Sequence, residues 1–135
     1  MTKRQVLIAK TKIDFCKKEK NNLEALIRIY HLNMDLLCFI VESSIPNLSL
    51  HNKKNKEILE LFSLELEVNS NLKTIISKKS SKPIKAWFKQ MDVFIKALKR
   101  KVPQKITVLM QQGESNFLLL NMSANKLFLI PKKIK

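Results

Sequence analysis

Arg28 and His31 lie three residues apart and would share one face of a helix. A cation beside an imidazole can hold a phosphate and move a proton, and helical ribonuclease sites use an Arg–His pair in this way. The spacing here is shorter than is usual for such motifs, so a surface or internally satisfied histidine is the expected reading. His51, the other histidine, has no E-x-x-H or H-E-x-x-H neighbourhood, which argues against a bundle metal site. Cys16 and Cys38 match no CxxC or zinc spacing and are expected as buried free thiols in a reducing compartment. Glu57 and Glu60 fall at the start of a predicted helix, where carboxylates stabilise the helix dipole without doing chemistry. Gly113 is the only glycine of the chain, so neither a phosphate-cradling loop nor a dinucleotide-binding turn can be built. No catalytic residue, metal ligand set or cofactor site follows, and the chain is expected not to be an enzyme.

What remains is charge. The 135 residues carry a formal net charge of +15, and +10 of it lies from Lys82 onward, where twelve Lys and Arg face only Asp92 and Glu114. Clustered cations steer polyanions toward a surface, so nucleic acid or an acidic protein is the expected partner. Only Arg4, Arg28 and Arg100 among the 26 basic residues are arginines. A Lys ammonium meets phosphate as a point charge, whereas bidentate reading of base edges is mostly arginine work, so contact would be directed at the backbone and tolerant of sequence. A coding bias toward Lys, Asn and Ile would produce a similar composition with no partner at all.

The elements that would position these charges can be read from spacing. Apolar residues recur at 3,4 intervals from Val6 to Val41 with Lys20 as the one charged break, which predicts a long heptad helix over residues 2–44, with 20–22 as the place where it would divide. Ser43 to Asn47 end it, and a second helix is predicted over 53–79. A third, over 82–101, places Ile84, Trp87, Phe88, Met91 and Phe94 on one face and Lys85, Lys89, Lys96 and Arg100 on the other. Between 105 and 130, short apolar runs such as Ile106–Met110 and Phe117–Leu120 are separated by turn-like segments, one of which contains Gly113. They read as a three-stranded antiparallel meander, followed by a basic tail over 131–135. The fold class expected is therefore mainly α: one domain, a three-helix bundle with a small C-terminal β meander.

The expected role is a non-enzymatic nucleic-acid-associated protein, DNA-binding or RNA-binding, which grips phosphates through Lys82, Lys85, Lys89, Lys96, Lys99, Arg100, Lys101, Lys105, Lys132 and Lys133. Trp87, Phe88 and Phe94 could stack bases, but their spacing assigns them to the core. The seam residues Val6, Ala9, Ile13, Cys16 and Lys20 are expected to join copies of the chain into a homo-oligomer or an obligate complex, because a seam of that length outruns the other helices. The alternative role is an assembly or adaptor subunit that meets an acidic partner. No apolar run is long enough to span a bilayer, the N-terminal residues lack signal-peptide architecture, and a cytoplasmic location is expected. Peripheral attachment to an anionic membrane is set aside because the apolar faces are needed for the core.

Overall fold

The computed structural model of the chain describes residues 1–50, 52–96 and 103–128. Among them are six helices and no strand: α1 (Lys3–Lys18), α2 (Asn22–Ser44), α3 (Asn55–Val68), α4 (Ser70–Ile75), α5 (Lys78–Lys96) and α6 (Pro103–Phe128).

The long seam is a helical hairpin rather than one helix. A capping box between Thr2 and Gln5 starts α1. Its end is a Schellman turn, in which the Lys20 amide donates to the Lys17 carbonyl at 3.0 Å and the Asn21 amide to that of Cys16 at 2.8 Å. Lys20 takes the left-handed backbone this turn requires, with φ of 59°. The Asn21 side chain then accepts the Glu24 amide and starts α2. Both arms of a hairpin need an apolar stripe at 3,4 spacing, so the register runs through the break although the helix does not.

The predicted β meander is absent: residues 103–128 form one continuous α-helix. Its buried positions are Ile106, Leu109, Met110, Gly113, Asn116, Phe117, Leu120, Ser123 and Ala124, a helical stripe in which four members are small or polar. Those four disguised the period and left the remaining apolar residues as apparent short runs. Gly113 occupies no turn and has no positive φ.

α6 lies along α2, its most extensive partner, and the pair is the axis of the core. Phe39 stacks on Phe128 with centroids 5.0 Å apart, and the buried Asn33 Nδ2 donates to the Gly113 carbonyl at 3.0 Å. A Cβ on Gly113 would stand 2.6 Å from Trp87 Cζ2 and 2.9 Å from Ile29 Cγ2, so the missing side chain lets α2, α5 and α6 close on one point. Trp87 fixes that point by donating its indole N–H to the Leu109 carbonyl at 2.9 Å.

The remaining elements lie around this axis. The predicted second helix divides at Asn69, whose Nδ2 donates to the Ser44 carbonyl at the end of α2 while its Oδ1 accepts the Leu72 amide and caps α4. α5 begins at Lys78, earlier than the predicted start at Lys82, because Ser77 accepts the Ser80 amide and caps the helix there. Pro83 therefore lies in the second turn, where it removes the donor to the Lys79 carbonyl.

Candidate nucleic-acid interface

α5 buries Ile84, Trp87, Phe88, Met91 and Phe94 and turns the 3,4 stripe Lys82, Lys85, Lys89, Asp92 and Lys96 away from the core. Four members of that stripe, Lys85, Lys89, Asp92 and Lys96, form one wall of a cleft of about 720 Å³. The facing wall comes from α3, through Asn55, Lys56, Leu59, Glu60 and Ser63, and the base is Tyr30 and Phe88. Asn55 Nδ2 donates to the Tyr30 hydroxyl and ties the α3 wall to α2. Burial holds that hydroxyl above the ordinary phenol range, opposed by the Asn55 hydrogen bond and reinforced by the Asp92 charge.

Four lysines therefore line the cleft with Glu60 and Asp92 as its only acids among the described residues, and Asp92 is already paired with Lys96 at 3.0 Å. That pair is well exposed and contributes little to stability. Its effect here is to concentrate the unneutralised cations at Lys56, Lys85 and Lys89. Spacing of this kind suits a polyanion with several phosphates, because each ammonium can take a separate oxygen.

The predicted cations separate into three groups. Lys85, Lys89 and Lys96 converge on the cleft, and Lys82 continues their stripe beyond it. Lys105 is exposed on α6 and does not line the cleft. Lys99, Arg100, Lys101, Lys132 and Lys133 lie outside the described residues. Lys56 was missed by sequence reasoning, although the run Lys53-Lys54-Asn55-Lys56 is its visible signal. Nothing in the sequence says that this run meets α5, since that depends on α3 and α5 both reaching Tyr30 of α2. Trp87 and Phe88 are 1% exposed and Phe94 is 5% exposed, so none of them offers a face for base stacking.

The expected oligomerisation seam is occupied within the chain. Val6, Ile13 and Cys16 are buried, Ala9 is half-buried, and Lys20 is exposed in the turn between α1 and α2. With the stripe divided between α1 and α2, no helix over residues 2–44 outruns its neighbours, and the hairpin covers its own stripe.

Arg28 and His31 line a second cavity, of about 630 Å³, between α1 and α2, together with Lys12, Asp35, Cys38 and Glu42. Arg28 is paired with Glu24 at 3.2 Å, and the His31 ring meets Tyr30 edge-on at 5.5 Å. Burial raises the Asp35 carboxyl above the usual carboxylate range against the nearby His31 charge. Burial, then Glu42 and Asp35, push the Cys38 thiol up to about 12, which makes it a poor nucleophile at neutral pH. Among the described residues no group of three His, Cys, Asp or Glu could hold a metal ion, and no helix is long and apolar enough to cross a membrane. No protein-family model, curated protein or solved structure matches the chain.

Proposed function

We propose that the protein is a non-enzymatic nucleic-acid-associated protein that holds the phosphate backbone in the cleft between α3 and α5. The observation that carries this reading is the convergence of Lys56, Lys85 and Lys89, from two helices, on one cleft with little acid to neutralise them. Contact of this kind neutralises phosphates and releases counterions, and it does not read base edges. Affinity should therefore fall steeply with salt and vary little between sequences.

The test is fluorescence anisotropy with labelled RNA and DNA oligonucleotides of mixed sequence, across a salt series. Lys56→Glu/Lys85→Glu/Lys89→Glu is compared with Lys3→Glu/Lys12→Glu/Lys18→Glu, which changes net charge equally at exposed α1 positions. The cleft variant should lose most of its affinity and about three units of log–log salt slope, and the α1 variant should lose far less. Equal losses would remove the cleft from the reading. Wild-type protein that binds neither nucleic acid at low salt would leave an acidic protein as the partner.

A further inference from the structure

Not every apolar side chain of α1 is needed for the core. Leu7 is 66% exposed, Phe15 61% and Ile8 46%, while Val6, Ile13 and Cys16 are buried against the rest of the fold. Helical spacing places the three exposed residues together with Thr11 on the outer face, opposite the buried stripe. α6 carries a further exposed apolar side chain near α1. Glu114 accepts Lys17 at 2.8 Å and stands 3.9 Å from Lys10, so its side of α6 meets α1, and Leu118, one turn further on that side, is 64% exposed.

Cations surround these side chains. α1 carries Lys3, Arg4, Lys10, Lys12, Lys17 and Lys18 against Asp14 alone. Lys10 is paired with Asp14 and Lys17 with Glu114, and among the described residues Lys3, Arg4, Lys12 and Lys18 make no ion pair. A second copy is a poor occupant, because two such faces would bring like charges together. A phosphate backbone would satisfy the cations and leave Leu7, Ile8 and Phe15 in water. An anionic bilayer interface takes both, since apolar side chains enter the boundary between headgroup and acyl chain while Lys and Arg stems reach back to the headgroups.

We propose that α1 lies in the plane of an anionic lipid surface, inserting Leu7, Ile8 and Phe15 and holding headgroup phosphates with Lys3, Arg4, Lys12 and Lys18. This face is separate from the α3–α5 cleft and uses none of its cations.

The test is cosedimentation of nuclease-treated protein with vesicles of phosphatidylcholine, with and without phosphatidylglycerol. Wild type should pellet only with the phosphatidylglycerol vesicles. Leu7→Ser/Phe15→Ser should reduce partitioning by about tenfold or more, as should Lys12→Glu/Lys18→Glu, each with unchanged far-ultraviolet circular dichroism. Lys85→Glu/Lys89→Glu should pellet like wild type. The proposal is overturned by a serine pair that binds as wild type does, which would make the attraction purely electrostatic, or by loss in the Lys85→Glu/Lys89→Glu variant, which would move the contact to the cleft. It is overturned equally by wild type that ignores both vesicles and binds poly-glutamate, since the face would then belong to an acidic protein.

Discussion

Gly113 and Lys20 have exchanged the roles expected of their residue types. The one glycine of the chain sits in the middle of α6 with no positive φ, and the tight turn between α1 and α2 is made by a lysine at φ of 59°. Glycine offers two separate properties, freedom of backbone and absence of a side chain. At residue 113 only the second is used. A helix-interior glycine costs about 1 kcal/mol against alanine, and the close approach of Trp87 and Ile29 offsets that cost. At residue 20 the first property would be useful and is missing, so the Schellman turn forms with a side chain that disfavours it.

The largest expected effect comes from emptying the space that Gly113 opens. Trp87→Ala removes a side chain that is 1% exposed, its hydrogen bond to Leu109 and its edge-on contact with Phe88. It should lower the unfolding free energy by about 3–5 kcal/mol, read by urea denaturation, which is a large part of a domain's stability. A loss well below 1 kcal/mol would mean that Trp87 is not at the junction of α2, α5 and α6.

Filling the same space is the next largest. Gly113→Ala should gain helix propensity and still destabilise by about 1–3 kcal/mol, because the new methyl meets Trp87 Cζ2 at 2.6 Å. Trp87→Leu removes that atom, so the cost of Gly113→Ala should shrink in its presence. A double-mutant cycle with no coupling energy would contradict the close approach. Stabilisation by Gly113→Ala alone would show that residue 113 had ample room and that its glycine serves neither property.

The two positions also explain what could be read from the sequence. Spacing placed Ile84, Trp87, Phe88, Met91 and Phe94 on one face of a helix, because all five are large and apolar and all five are buried. α6 was misread because its inner stripe includes Gly113, Asn116, Ser123 and Ala124, which register as turn signals when a hydrophobic pattern is counted. A small residue inside a helix is evidence of a close neighbour, but only the fold shows which neighbour. The hairpin was obscured for the opposite reason: nothing at Lys20-Asn21-Asn22 forbids a helix, and the apolar period continues through it. The Lys stripe of α5 was legible in the same way as its apolar face, whereas Lys56 joins it only through the packing of α3 and α5 around Tyr30.

The smallest expected effect concerns Lys20 and is informative through its sign. A side chain at left-handed φ costs roughly 1–2 kcal/mol, and glycine avoids this while adding some entropy to the unfolded chain. Lys20 makes no ion pair among the described residues, so its charge contributes only weakly through the end of α1. Lys20→Gly should therefore stabilise the protein, by about 0.5–1 kcal/mol. Lys20→Asn should have the same sign and a smaller size, since asparagine tolerates this conformation, as Asn47 does at φ of 62°. In one continuous helix over residues 2–44 the glycine would instead cost about 1 kcal/mol, because it would sit in a helix interior. Thermal and urea unfolding of the two variants separate the alternatives. A destabilised Lys20→Gly, with asparagine also unfavourable, would restore the long seam and with it the need for a partner to cover Val6, Ile13 and Cys16.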